Sequence, residues 1–457
     1  MTDWLGFAYP KNGTKDEQLS YLAKIDKLRS ESTHSYKKDG PRVPNWSLEM
    51  QITVDRFKYE FKALKSKSPV VITEENFNAE LVGNAFYTLR HFVTDIEKAN
   101  KKAKHEVHDW PYSTSSYDSE GICDIDTVAQ RLPIFAGIID QDRKAENNGE
   151  NPGAHHYAEV VASDTIIEAI GDQKKALSLD PLNEHEVVVV HYHGGGYCIE
   201  SPGVYRTSAA ELSNIANYRV ILPYYRLAPE HPFPAAIYDG YMFLKYLHKL
   251  GYKPENIVFF GDSAGGNLVM ELLLVLNALG EAQPRACISF SPWSDLSVST
   301  EAWKRNVEYD FLAYIPMDNV RNSSRLYVAP GEPLTDKVRE MFKQPFVSPN
   351  YGDFSFPGCA PMYVIGGELE MLIDDIDAFA AKNGVKQTYI KGRTHPGFDF
   401  ASSTKTNTGG NSLDNMIIYE KYAGMIHVFF IFDEPDEKYA VLEGINSFLQ
   451  HIDKSRA

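Results

Sequence analysis

From residue 186 onward, short runs rich in β-branched residues alternate with segments of helical periodicity. This alternation predicts a parallel sheet covered by helices on both faces, because parallel neighbours need right-handed crossover connections. The predicted strands are 186–193, 219–225, 257–260, 286–291 and 362–365, and the predicted helices between them are 207–216, 234–250, 264–279 and 374–383. In such a sheet, functional groups gather beyond the carboxyl ends of the strands.

The preceding 180 residues are more polar and less regular. Helical periodicity at 15–30 and 48–65 predicts helices, and the polar stretches 101–104, 140–153 and 178–186 predict solvated loops. A hydrophobic content of 43% over 457 residues is enough for a large core.

The formal net charge of −16 disfavours nucleic acid and anionic membrane surfaces as partners. The chain shows neither a secretory signal pattern nor an apolar run long enough to span a bilayer, which predicts a cytoplasmic protein without an integral membrane segment. The cysteines, at positions 123, 198, 287 and 359, are scattered and form no CxxC pair. They are therefore expected to be buried free thiols.

Residues 261–265 read GDSAG, between an apolar strand and an apolar helix. So tight a strand-to-helix turn strains the backbone at the serine and needs glycines beside it to avoid collisions. The turn lifts Ser263 Oγ to the amino end of the helix, where partial positive charge favours a developing anion. Ser263 is therefore a predicted nucleophile, and the alternative is an ordinary N-cap serine.

Residues 191–197 read HYHGGGY and directly follow the first predicted strand. A phosphate-binding loop would need a lysine before Ser or Thr after the glycines, where this chain has tyrosine and cysteine. A metal site at His191 and His193 has no third ligand at convincing spacing, so no metal is expected. His191 is expected to pack in the sheet and His193 to shape the loop.

The glycines of this loop favour an oxyanion hole, because backbone N–H groups without side chains can approach a substrate oxygen. We expect Gly194 and Gly195 to donate from this loop, and Ala264 to donate from the residue after the serine.

Together, HGGGY, GDSAGGN, the run 225–239 (YRLAPEHPFPAAIYD) and the run 291–297 (SPWSDLS) resemble the hormone-sensitive-lipase-like branch of the α/β-hydrolases. The resemblance covers about residues 186–450, and 44–61 (PNWSLEMQITVDRFKYEF) is similar to fungal members. It implies an α/β-hydrolase fold with a mostly parallel central sheet, helices on both faces and a helical cap. It also implies a serine esterase that needs no cofactor.

The resemblance implies a triad in the order serine, acid, histidine. The family pattern acid-x-Leu-x-Asp-acid fits 370–375 (EMLIDD), so Glu370 is the expected acid, although the family usually has aspartate there. Glu368 is the rival, and Asp374 is expected to cap the next helix.

Two segments resemble the family's ending, Gly-x-x-His-x-Phe: GRTHPGF at 392–398 and AGMIHVFF at 423–430. His427 is the expected base, because its surroundings match the fungal form and precede an amphipathic segment, 436–452. The rival, His395, lies in a stretch rich in Ser, Thr, Asn and Gly, which predicts an inserted loop at 391–415.

In the family, the cap is built from amino-terminal helices and the segment after SPWSDLS. This implies an amino-terminal cap with inserted loops (1–180), a first core part (181–297), a second cap segment (298–354) and a second core part (355–457). The cap aromatics Trp303, Tyr309, Phe311 and Tyr314 either line an acyl pocket or form the core of the cap. Arg226, Glu230 and Asp239 are expected to form ion pairs that support the loops.

The resulting hypothesis is a serine carboxylic-ester hydrolase that acts on small to medium acyl esters through an acyl-enzyme. The alternatives are a sterol or lipid acetyl-ester deacetylase and an amidase with the same triad. A more distant alternative is a small-ligand receptor, as in the plant gibberellin receptors, which resemble the family but lack the triad histidine. The expected partner is a small-molecule ester, and a homodimer is compatible with the sequence.

Overall fold

The computed structural model describes residues 8–66, 72–93, 103–152, 156–398, 413 and 415–456. The strands are β1 (Ala103–Asp109), β2 (Tyr157–Ser163), β3 (Val188–Tyr192), β4 (Arg219–Pro223), β5 (Ile257–Asp262), β6 (Ala286–Phe290), β7 (Met362–Gly367), β8 (Gln387–Ile390) and β9 (Ile417–Tyr422). Within the described residues they form a nine-stranded sheet in the order β1-β2-β4-β3-β5-β6-β7-β9-β8. Neighbours from β4 to β8 are parallel, whereas β2 is antiparallel to both β1 and β4.

Apolar cores lie on both faces of this sheet, and successive valines of β3 alternate between them. One face packs against the helices Ala235–Leu250 and Ala264–Leu279. The other packs against the helices Arg206–Ala216 and Glu437–Arg456. Burial on both faces explains why the central strands are continuous apolar runs in the sequence.

The structure confirms the predicted α/β fold with its mostly parallel sheet. Every strand and helix predicted from residue 186 onward is present, with ends shifted by a few residues. The remaining α-helices are Lys15–Asp39, Leu48–Ser66, Ala79–Asn84, Tyr87–Arg90, Thr114–Ser119, Ile125–Arg131, Ala136–Asn147, Asp164–Ile170, Gln173–Ala176, Ala302–Arg305, Ser323–Val328, Asp336–Met341 and Ile373–Lys382. Short 3-10 helices span Pro133–Phe135, Pro202–Tyr205, Pro254–Asn256, Pro349–Tyr351 and Phe429–Ile431.

Sequence patterns did not identify β1 and β2, which extend the sheet from within the polar first part of the chain. Strand β1 reads AKHEVHD and is half-exposed, as an edge strand with charged side chains is expected to be. Its first residues fall in the stretch 101–104, for which a loop was predicted; residues 101 and 102 lie outside the described residues.

The loop predicted at 140–153 is wrong for its first half, which belongs to the helix Ala136–Asn147. The reason is a buried ion pair: Asp142 is 1% exposed and lies 2.7 Å from Arg226 Nη1. Arg226 also pairs with Asp239 at 2.7 Å, and Tyr112 Oη donates to Asp142 at 2.6 Å. Asp142, one of the polar residues of this helix, therefore anchors the loop after β4.

The expected ion pairs of the run 225–239 are confirmed, because Glu230 also pairs with Arg90 at 2.8 Å. The four cysteines are free and buried, as predicted. Of the helices in the described ranges, none combines the length and apolar character needed to cross a lipid bilayer.

Replacing Asp142 by alanine is expected to lower the free energy of unfolding by about 3 kcal/mol, because Arg226 keeps a buried charge with fewer partners. Denaturant unfolding measures this loss. Asp140→Ala is the matched control, because Asp140 is exposed on the same helix and its removal should change little. Equal effects of the two variants would contradict the anchoring role of Asp142.

Candidate active site

Ser263 lies between β5 and the helix Ala264–Leu279, at the carboxyl edge of the sheet. Its backbone has φ 54° and ψ −117°, a left-handed conformation that is strained for a residue with a side chain. A Cβ built on Gly261 would collide with the carbonyl of Gly265, and one on Gly265 with the carbonyl of Tyr192. The two glycines allow the helix to start directly against β3, which turns the serine outward.

Three side chains from different strand ends form a hydrogen-bonded line. Ser263 Oγ lies 2.8 Å from His427 Nε2, and His427 Nδ1 lies 2.8 Å from Glu370 Oε2. Because a carboxylate only accepts, Nδ1 carries the imidazole proton and Nε2 accepts from the serine hydroxyl. Glu370 is fully buried, and its other oxygen accepts from Gly367 N at 2.8 Å.

The site contains several carboxylates that affect the charge on His427. Burial alone would lower its pKa, but the hydrogen bond and charge of Glu370 outweigh burial, and the pKa is raised above its ordinary value. Asp310 and Asp262 contribute in the same direction. The imidazolium formed during acid-base chemistry is therefore stabilised where it would arise.

The rival residues lie elsewhere. Glu368 Oε2 accepts from Tyr389 Oη at 2.6 Å and from Gly424 N at 2.8 Å. His395 Nε2 lies 2.9 Å from Glu420, and its Nδ1 accepts from Gly397 N. The structure brings His427 and Glu370 to Ser263, and it holds His395 and Glu368 in other hydrogen bonds.

Asp374 was predicted to cap its helix, and this prediction is wrong. The residue lies in the first turn of Ile373–Lys382, where it accepts from Ala302 N at 2.9 Å and pairs with Arg305 at 2.6 Å. Asp374 therefore fixes the helix Ala302–Arg305 to the start of the helix Ile373–Lys382.

The glycine loop differs from expectation at one residue. Gly194 N already donates to Tyr205 Oη at 3.1 Å, so this N–H is not free for a substrate oxygen. In the part of the chain that the structure describes, the N–H groups of Gly195, Gly196 and Ala264 make no hydrogen bond. Gly195 and Gly196 have positive φ angles of 94° and 58°, which aim successive N–H groups in directions that an ordinary residue disfavours.

The two histidines of HYHGGGY form hydrogen bonds that support the glycine loop and its surroundings. His191 Nε2 lies 2.9 Å from Asp262 Oδ1, and His193 Nδ1 donates to the Gly194 carbonyl at 2.8 Å. Burial lowers the pKa of His193 to about 3, so its imidazole is neutral. Both rings thus support backbone that borders Ser263.

A family model for the α/β-hydrolase fold matches residues 189–399. An esterase from Acinetobacter venetianus is 32% identical over 195 residues, which are 43% of this chain and 60% of that protein. An acetyl-hydrolase from Streptomyces hygroscopicus is 29% identical over 212 residues, 46% of this chain and 67% of that protein. The chain thus matches about two thirds or less of the length of these relatives.

Solved structures agree on the fold. An esterase/lipase from an uncultured bacterium superposes with a TM-score of 0.52 at 20% identity, covering 88% of this chain and 99% of that one. An esterase from the bacterial hormone-sensitive lipase family gives 0.50 at 22% identity, covering 87% and 97%. The chain has the α/β-hydrolase fold.

In this α/β-hydrolase, the loop that carries His427 is held from two sides. On the core side, Ser291 Oγ accepts from Val428 N at 3.1 Å. On the other side, Trp46 Nε1 donates to the Gly424 carbonyl at 2.7 Å, and Asn45 Nδ2 donates to the Ala423 carbonyl at 2.8 Å. The amino-terminal segment therefore contacts the histidine loop directly.

The segment 298–354 holds the loop of Glu370. Asn306 Nδ2 donates to the Glu370 carbonyl at 2.9 Å, and Asp310 accepts from Met371 N at 2.8 Å. Lys58 from the helix Leu48–Ser66 donates to carbonyls of this segment at 307 and 308. Sequence reasoning missed Asn306, Asp310 and Lys58, because no motif marks a residue that acts on a distant backbone.

The cap aromatics mainly form core. Trp303 is 8% exposed and donates to Asp375 at 3.1 Å. Phe311 packs edge-on against Phe57, and its ring centroid lies 6.1 Å from that of His427. Phe311 is thus the cap aromatic placed beside the histidine, whereas Tyr309 and Tyr314 pack half-buried at the margins of the two cores.

Ser291→Ala is expected to cost about 1 to 3 kcal/mol of unfolding free energy, because Val428 N is left buried without an acceptor. The amide of Val428 should also exchange faster with deuterium. Ser289→Ala is the control: this buried serine on the same strand end donates to the Gly266 carbonyl, and its loss should not affect the histidine loop. Unchanged exchange at Val428 in Ser291→Ala would show that the bond does not hold the loop.

Proposed function

We propose that this α/β-hydrolase is a serine carboxylic-ester hydrolase in which Ser263 is the nucleophile, His427 the general base and Glu370 the residue that orients it. The observation that carries the proposal is the continuous line of 2.8 Å contacts from Ser263 through His427 to Glu370. The strained φ of 54° at the serine adds to it, because such strain is found where a side chain must be presented for chemistry. The named relatives are esterases and acetyl-hydrolases.

In the first half-reaction, Ser263 Oγ forms a bond to the ester carbonyl carbon while its proton passes to His427 Nε2. The imidazolium then gives this proton to the departing alcohol as the tetrahedral adduct breaks its ester C–O bond. A water molecule attacks the resulting acyl-enzyme in the same manner, with His427 again taking and returning the proton. Glu370 keeps the imidazole proton on Nδ1, so that Nε2 faces the serine.

The developing oxyanion needs donors that are not already engaged. We assign this role to the N–H groups of Gly195, Gly196 and Ala264, and we replace the expected donor Gly194 because Tyr205 already occupies its N–H. Ala264 stands at the first position of its helix, where the N–H is free and the helix dipole favours negative charge.

The proposed substrates are small to medium acyl esters. A Cβ on Gly196 would lie 3.4 Å from Ser323 Cβ and 3.8 Å from Trp293. These two residues therefore leave little space beside the glycine loop. A series of p-nitrophenyl esters from acetate to palmitate measures the chain-length preference, and kcat/KM is expected to fall for the longest chains. A sterol acetate and an aryl acetamide, added to the series, test the deacetylase and amidase alternatives.

Ser263→Ala and His427→Ala are each expected to lower kcat on p-nitrophenyl acetate by about 10⁴-fold or more, because the nucleophile and its base act as a unit. His395→Ala is the matched control: it should lose stability, since Glu420 loses a buried partner, but keep most of its kcat. Full activity of Ser263→Ala would refute the proposal. A wild-type protein that binds esters without turnover would indicate the receptor alternative instead.

The acid side of the pH profile tests the role of Glu370. Since the base must be neutral, kcat/KM should fall as the pH drops through the pKa of His427, which lies above the ordinary value of 6.5. Glu370→Gln removes the charge that raises this pKa, so the acid limb should move to lower pH while kcat falls by about 10⁴-fold. Glu368→Gln is the control, and a shift in that variant but not in Glu370→Gln would make Glu368 the acid.

A further inference from the structure

A buried hydroxyl beside the proposed site has more partners than one proton can serve. Tyr205 Oη accepts from Gly194 N at 3.1 Å, and it lies 2.6 Å from Glu200 Oε2 and 2.8 Å from Asp262 Oδ2. Burial and both carboxylates raise the pKa of Tyr205 well above its ordinary value, so the phenol keeps its proton. A phenol donates once, so a second proton is needed to satisfy both carboxyl contacts.

The hydrogen bonds of Asp262 indicate where this second proton resides. Asp262 Oδ1 lies 2.9 Å from His191 Nε2, and Asp262 Oδ2 lies 2.8 Å from Tyr205 Oη, so each oxygen of this side chain has a hydrogen-bond partner other than Glu200. Glu200 is then the carboxyl group that carries a proton and donates it to Tyr205 Oη, which thereby accepts twice and donates once.

The cluster of Glu200, Tyr205 and Asp262 connects the glycine loop to the end of β5, which precedes Ser263. Glu200 follows the glycine loop with φ 69°, a left-handed conformation that a glutamate adopts only under constraint. Asp262 immediately precedes Ser263 in the sequence. A Cβ on Gly194 would lie 2.5 Å from Asp262 Oδ2 and 2.8 Å from Tyr205 Oη, so the first glycine of the loop leaves room for the cluster.

We propose that Glu200 is a positioning residue whose protonated carboxyl group, through Tyr205, holds the glycine loop against the strand end that carries Ser263. The inference deepens the proposed function and rests on it. When Glu200 ionises, two carboxylates compete for one phenolic proton, and a negative charge appears beside the proposed oxyanion donors. The rate of acyl transfer should therefore fall on the alkaline side.

Burial and the charges around Glu200 place the ionisation of its carboxyl group near neutral pH. Glu200 is half-buried as a residue, and its carboxyl group faces Tyr205 from its own loop, Asp262 and His427 from neighbouring strand ends, and Tyr225 from the loop after β4. Burial raises the pKa of Glu200, the Tyr205 hydrogen bond lowers it, the charge of Asp262 raises it and His427 lowers it, with a result of about 7. Stabilisation from the neutral carboxyl is thus present below this pH and lost above it.

The pH dependence of kcat and KM for p-nitrophenyl acetate, from pH 5 to 10, tests the proposal in Glu200→Gln and Glu200→Ala. The glutamine amide donates to Tyr205 and does not ionise, so Glu200→Gln should keep near-wild-type kcat below pH 7 and lose the alkaline descent of the wild type. Glu200→Ala removes both the donor and the ionisable group, so its kcat should be about 10- to 100-fold below that of the wild type under pH 7, with a smaller change in KM and no alkaline descent. Glu184→Gln, an exposed carboxylate on the loop before β3, is the control and should reproduce the wild-type profile.

The proposal is overturned if the wild type shows no alkaline descent, or if Glu200→Gln retains it. It is also overturned if Glu200→Ala loses folding stability alone while the folded fraction keeps wild-type kcat. Ser263→Ala, measured alongside, distinguishes failure of the proposed function from failure of the role of Glu200. Activity in Ser263→Ala contradicts the proposed function itself. An inactive Ser263→Ala, together with a Glu200→Gln pH profile like that of the wild type, contradicts only the role of Glu200.

Discussion

The left-handed backbone of Ser263 is the constraint on which the rest of the site depends. A φ of 54° at a residue with a side chain persists only when the surroundings enforce it, and here β5, β3 and the helix Ala264–Leu279 are pressed together at Gly261 and Gly265. The almost fully buried helix behind the serine anchors this arrangement in the core. Because the serine is fixed, every other functional group must be brought to it.

The fold does this by using loops from several neighbouring parallel strands, whose carboxyl ends meet at one edge. Glu370 follows β7, His427 follows β9 and the glycine loop follows β3. Each loop is secured by contacts away from the reacting atoms: Ser291 and Trp46 hold the histidine loop, and Asn306 holds the loop of the acid. The amino-terminal segment and the segment 298–354 thus brace the loops of the site.

Much of this arrangement is predictable from the sequence, because the central strands are apolar on both faces and the motifs around Ser263 depend on backbone geometry that only glycine permits. The sequence patterns favoured His427 and Glu370 over His395 and Glu368, and the structure places the favoured pair in one hydrogen-bonded line with Ser263. Strands β1 and β2, the helix around Asp142 and the engaged N–H of Gly194 were missed, because each depends on a partner distant in sequence. The carboxyl of Glu200 belongs with them, since its effect requires Tyr205 and Asp262 together.

Covalent labelling with a fluorophosphonate, followed by peptide mapping, measures whether His427 activates Ser263. If His427 is the base, we expect a single stoichiometric adduct on Ser263 in the wild type, retained in His395→Ala and formed far more slowly in His427→Ala. No adduct in the folded wild-type protein, an adduct on another residue, or labelling of Ser263 that depends on His395 and not on His427 would contradict it.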